Sequence, residues 1–156
     1  MTTAKTTVPR DSTGIPVPLE AAADALSRAA GEAARQHERV AKLNERGAHH
    51  SEMQEATALC ALAHQHLKAR AELYESSAGA GKGGREEGFW HAANTLWHAA
   101  RDYARRHKDG DAMSAQLARH SSGKFGELAL DYELEASALL NMRNALAAYR
   151  KLRPEA

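Results

Sequence analysis

The chain has 156 residues, 21 basic and 20 acidic side chains, and one cysteine, Cys60. That length suits one domain. The even charge removes a globally basic surface as a basis for nucleic-acid binding, and a single cysteine excludes an intrachain disulfide, which fits a cytoplasmic protein. Abundant alanine, with only 5% aromatic residues and four prolines, favours helix over strand. No apolar run approaches the roughly 18–20 residues of a membrane helix, so no membrane partner is expected.

Residues 1–17, MTTAKTTVPRDSTGIPV, are rich in Thr and Pro and carry no apolar signal segment. They read as a flexible tail, followed by one helical domain over 18–153. The first helix is expected to start near Pro18 and Leu19, with Glu20 and Asp24 at its positive end. Leu19, Ala23, Leu26, Ala30, Ala33, His37 and Val40 recur at steps of four and three, an apolar stripe facing a core. Gly47 is the expected C-cap.

Ser51 is the expected N-cap of the second helix. Its stripe is Met53, Ala56, Cys60, Ala63, Leu67 and Tyr74, flanked by Leu59, Leu62 and Leu73. The run SSAGAGKGG then reads as a flexible connector. It is no phosphate-binding loop, because the Gly-Lys lacks a following Ser or Thr and no strand precedes it.

The third helix is expected over Glu86 to His107. Phe89, Ala93, Leu96, Ala100 and Tyr103 form its stripe, with Trp90 and Trp97 on the flank. His91, Asn94, His98, Arg101, Asp102 and Arg105 occupy the other face. KDGD reads as its stop, followed by a short helical piece, AMSAQLARH, and a loop, SSGK. The fourth helix is expected over Phe125 to Leu152, with Phe125, Leu128, Tyr132, Leu139, Met142, Leu146 and Tyr149 along one side. Glu135 falls inside that stripe, at a packed edge or paired with a polar core residue. His37, inside the first stripe, is its natural partner; a titrating switch is the alternative role. The pattern as a whole is all-α: a four-helix bundle with a short extra helix between the third and fourth and a flexible N-terminal tail.

Nine histidines direct attention to metals. Chelation on a helix needs ligands at i,i+3 or i,i+4. No two histidines have that spacing, and no glutamate has a histidine three residues on, as di-iron bundles do. The mixed pairs Glu87/His91 and His98/Asp102 read as surface ion pairs. No metal and no cofactor is therefore expected. AHQHLKARA lacks the glycine of a phosphotransfer His-x-x-Lys-Gly loop, and no nucleophile elbow is present.

The stretch RDYARRHKDGD, residues 101–111, is the sharpest candidate for chemistry. Arg101 and His107 are separated by five residues near an expected helix end, as are Arg85 and His91. This spacing resembles the motif of HEPN-type ribonucleases, which are helical bundles. The resemblance implies an RNA-binding protein or ribonuclease in which Arg101 holds a phosphate and His107 moves the proton of the attacking hydroxyl. MRNALAAY in the fourth helix is similar to a second version of that motif, but Ala148 stands where its histidine belongs.

Arg101, Arg105, Arg106 and Lys108 are the candidate nucleic-acid contacts. A second basic segment, Arg143 to Arg153, carries four cations and no acid. Both segments sit at expected helix C-termini, where the helix dipole favours positive charge without any ligand. In an up-down-up-down bundle they also lie at opposite ends. The preferred expectation is thus a non-catalytic interaction or assembly module, a homodimer formed through Trp90 and Trp97 or a complex with another protein. The HEPN-like protein is the first alternative and a histidine-rich metal-binding bundle the second.

Overall fold

The computed structural model describes residues 17–80, 87–119 and 125–154. They form four helices: α1 (Val17–Arg46), α2 (His50–Ala80), α3 (Glu87–Arg119) and α4 (Phe125–Leu152). There is no strand among the described residues, and none of these helices is long and apolar enough to cross a membrane. Of the expected tail over 1–17, residues 1–16 lie outside the described residues, as does the loop at 121–124, while Val17 is the first residue of α1.

Side-chain pairs across the seams fix the topology. His37 meets Glu135 while Asp24 meets Arg153, so α1 and α4 run antiparallel. His64 meets Tyr103 while Tyr74 meets Asn94, so α2 and α3 do too. Phe89 lies against Tyr149 and His107 against Glu135, which sets α3 against α4 in the same sense. The short turn after Arg46 folds α2 back along α1, giving up-down-up-down order.

Gly47 ends α1 as its sequence position implies. Its φ is 66°, Gly47 N–H donates to Asn44 O at 3.2 Å, and Ala48 N–H donates to Leu43 O at 3.0 Å. This paired 5→2 and 6→1 closure is a Schellman motif, which needs a left-handed residue at the glycine position. The start of α2 differs from expectation. His49, rather than Ser51, caps it: Nδ1 of His49 accepts the Ser51 N–H at 3.2 Å, and its carbonyl accepts the Met53 N–H at 3.0 Å. An imidazole nitrogen two residues ahead can do what a serine oxygen does in a cap.

Two helices run past their expected ends. α2 continues through Ser76 to Ala80, with Ser76 Oγ–H donating to Glu72 O at 3.2 Å. α3 continues to Arg119, so residues 112–119 of the segment expected as a separate short helix are its last quarter, and His120 lies outside the described residues. A lone internal glycine such as Gly110 costs about 1 kcal/mol in a helix, and the good helix formers after it can offset that.

The core follows the expected stripes closely. Leu19, Ala23, Leu26, Ala30 and Ala33 of α1 are fully buried, as are Ala93, Leu96, Ala100 and Tyr103 of α3. α2 contributes Ala56, Cys60, Ala63, Leu67, Ala71 and Tyr74; α4 contributes Leu139, Met142, Leu146 and Tyr149. The side chains of Phe125, Leu128 and Tyr132, assigned to the α4 stripe, lie outside the described residues.

Tyr74, Tyr103 and Tyr149 are completely buried, and each hydroxyl crosses to another helix. Tyr74 donates to Asn94 Oδ1 at 3.0 Å, Tyr103 pairs with His64 Nε2 at 2.6 Å, and Tyr149 donates to Asp24 Oδ1 at 2.6 Å. A tyrosine buries a large ring only at the cost of placing its hydroxyl, so these bonds also set the helix register. Arg153 reinforces the last one: Nε and Nη2 donate to the two Asp24 oxygens at 3.1 and 2.6 Å, and Nη1 pairs with Glu20. This bidentate grip ties the C-terminus of α4 to the N-terminus of α1, where both dipoles favour the charges present.

Candidate functional site

One level of the bundle is polar rather than apolar. His37 from α1, Cys60 and His64 from α2, Tyr103 and His107 from α3, and Glu135 from α4 meet there. Local spacing brings them in. Cys60 and His64 are four apart, as are Tyr103 and His107, so each pair shares one helix face. Glu135 is four residues before Leu139 and continues its buried line, itself only 8% exposed.

The hydrogen bonds fix the proton positions. His64 Nδ1 lies 2.7 Å from the Cys60 carbonyl oxygen, which only accepts, so Nδ1 carries the proton. Nε2 then accepts from the Tyr103 hydroxyl, 2.6 Å away. His107 Nδ1 donates to Glu135 Oε2 at 2.9 Å, and His37 Nε2 donates to Oε1 at a longer 3.4 Å. The His64 and His107 rings stack, with centroids 3.7 Å apart and planes 19° from parallel. The Cys60 sulfur lies 3.6 Å from His64 Nδ1.

The electrostatics divide the cluster in two. Burial, and then the neighbouring His107, push His64 down to about 4, so its ring is neutral at neutral pH. Burial alone would raise the Glu135 carboxyl. The hydrogen bonds and charges of His107 and His37 outweigh it and pull Glu135 down to about 2. Glu135 is therefore an anion held between two imidazoles, and His64 a neutral ring held between a carbonyl and a hydroxyl. Such an arrangement costs desolvation and is stable only because each polar group is paired.

His37 and Glu135 meet as the two stripes suggest. Cys60 and His64 are what sequence reasoning missed. A Cys-x-x-x-His pair is a one-face helix pair just as two histidines at that spacing are, so that signal is present in the sequence. Tyr103 carried no such signal, since only the pairing of α2 with α3 brings it to His64.

The other candidate residues are not gathered at this level. Arg101 is exposed, its guanidinium 5.3 Å above the Trp97 ring. His107 turns inward to Glu135. Six residues advance a helix by about 600°, so the two side chains leave α3 about 120° apart. Arg105 and Arg106 pair with Asp102 at 3.1 and 3.7 Å. The Lys108 side chain lies outside the described residues, as do Arg85 and the Glu87 side chain. Arg153, in the second basic segment, is committed to Asp24 and Glu20 at the other end of the bundle.

Trp90 and Trp97 lie half-buried on the α2–α3 seam, 6.4 and 6.3 Å from the Tyr74 ring. Trp97 Nε1–H donates to the Ala71 carbonyl at 3.1 Å. Both tryptophans thus have partners within the chain. Comparison with protein-family models, with curated proteins and with solved structures returns no match.

Proposed function

We propose that this chain is a non-catalytic helical module that pairs with a second copy of itself through the outward face of α2. The observation that carries the reading is the exposure of Leu59, Leu62 and Leu73, at 38, 51 and 44%. Scattered exposed leucines are ordinary. These three fall with His66 and Ala69 at steps of three and four, inside an arc of about 80°. That is the spacing of a coiled-coil seam, on the side of α2 away from Ala56, Leu67 and Tyr74.

The line also reads nearly alike in both directions. Leu59 precedes His66 by seven residues and Leu73 follows it by seven. An antiparallel copy sets Leu59 of one chain opposite Leu73 of the other, the self-complementarity a two-fold dimer needs. Trp90 and Trp97, by contrast, already pack inside the chain, so the interface is assigned to α2 and the tryptophans to the α2–α3 seam.

Light scattering and sedimentation of the wild type and of a Leu62→Glu, Leu73→Glu variant test this. The wild type should be a dimer, and the variant a monomer with unchanged helix content. A wild type that is monomeric at high micromolar concentration, or a variant of unchanged mass, overturns the reading.

A further inference from the structure

We propose that Cys60, His64 and His107 bind a zinc-class divalent cation between α2 and α3, with Glu135 positioning His107. Donor atoms of the three residues all lie within 4.8 Å of one another, from two buried side chains and one largely buried. The Cys60 sulfur and His64 Nδ1 are 3.6 Å apart. A tetrahedral ion with bonds of about 2.3 Å to sulfur and about 2.0–2.1 Å to nitrogen separates those donors by about 3.6 Å. The i,i+4 pair on α2 is thus already spaced as two corners of the polyhedron. His107 must close by up to about 1.5 Å, with its ring tilting off the His64 face, to supply the third.

The surrounding hydrogen bonds suit that ion. His107 gives its Nδ1 proton to Glu135 at 2.9 Å, which directs Nε2 toward the metal. A carboxylate behind a ligating imidazole fixes its tautomer and strengthens it as a donor. His64 has the matching device. When Nδ1 takes the ion, its proton moves to Nε2, which then donates to the Tyr103 oxygen 2.6 Å away. A phenol hydroxyl can accept as readily as donate, so Nε2 keeps its partner, while Nδ1 gives up the Cys60 carbonyl 2.7 Å away as the ring turns toward the ion. Cys60 binds as thiolate and releases its proton to solvent; where His107 is charged against Glu135 its Nε2 proton leaves the same way, so both imidazoles bind as neutral ligands. Thiolate and imidazole donors select zinc-like ions over magnesium or calcium. Three protein ligands leave the fourth position to a water molecule.

A core built only for packing has no need of this set. A thiol is a weak hydrogen-bonding group, and stacked imidazoles bury polar atoms that an aliphatic pair would not. The exposed histidines His66, His91 and His98 can also attract zinc, so the experiment must report on sulfur.

Untagged full-length protein, reduced and stripped with chelator, is titrated with Co2+ and then Zn2+. The expected result is a near-ultraviolet thiolate-to-cobalt band with the visible bands of a four-coordinate ion, both displaced by Zn2+. Cys60 is the single cysteine, so the thiolate band reports this site alone. The band should be lost in Cys60→Ser, lost or greatly weakened in His64→Gln and His107→Gln, and retained in His66→Gln. Glu135→Gln should weaken cobalt binding about 10–100-fold. A measurement that needs no variant is the wild-type melting temperature, which Zn2+ should raise and Mg2+ should not. Absence of the thiolate band in folded wild type overturns the proposal. So does a band that survives unchanged in both His64→Gln and His107→Gln.

Discussion

Replacing Glu135 with Gln should destabilise the bundle by about 3 kcal/mol near neutral pH, and two routes lead to that figure. The carboxylate accepts from His107 at 2.9 Å and from His37 at 3.4 Å. Hydrogen bonds to a charged group contribute about 1.5–3 kcal/mol each, and the longer one sits at the weak end or below. Linkage supplies the second route. The fall of the Glu135 carboxyl from 4.5 to about 2 corresponds to about 3 kcal/mol, at about 1.4 kcal/mol per pH unit. A carboxyl depressed in the folded state contributes stability that is fully present above its unfolded value and is lost as pH falls through its folded value. The window is therefore from about 4.5 down to about 2. Urea unfolding of wild type and Glu135→Gln, followed by helical circular dichroism with chelator present, measures both quantities. The gap between the proteins should be about 3 kcal/mol at pH 7 and narrow steadily below pH 4.5. A variant within about 0.5 kcal/mol of wild type at pH 7, or a gap unchanged at pH 3, would refute the argument.

His64 acts in a higher window. Its folded value lies near 4, below an ordinary 6.5, so its stabilisation is present above pH 6.5 and lost between 6.5 and 4. His64→Gln should flatten the stability–pH curve in that interval, and an unchanged slope there counts against the buried neutral ring. Asp24→Ala removes the acceptor of the buried Tyr149 hydroxyl and both Arg153 bonds. Thermal melting should show a loss of about 2–4 kcal/mol, with Tyr149→Phe costing less because Arg153 keeps its partner; the reverse order would mean the clamp is not what holds α4 to α1.

The repeat of small and apolar residues at steps of three and four in the sequence determined the four helices and most of the core. This holds for Leu19 to Ala33 as for Phe89 to Tyr103, because a helix period is a local property. Gly47 was legible for the same reason: its left-handed φ answers to the chain on either side of it. The meeting of His37 and Glu135 could also be anticipated, since a polar residue inside an apolar stripe needs a partner and each stripe held one.

What periodicity could not supply was register between helices. His64 and Tyr103 are 39 residues apart, and nothing local states that α2 and α3 align them. The same holds for the stacking of His64 on His107. The inward turn of His107, away from Arg101, was already implied by six residues on one helix. The tertiary structure decided that two half-exposed tryptophans would find partners on α2, and that three leucines of α2 would stay more than a third exposed among the described residues. A helix period ranks the faces of one helix by polarity; which face meets a neighbour, and at what height, follows from how the four rods pack against one another. That packing brought His37, Tyr103, His107 and Glu135 to the level of Cys60 and His64 and turned separate single-residue readings into one candidate site.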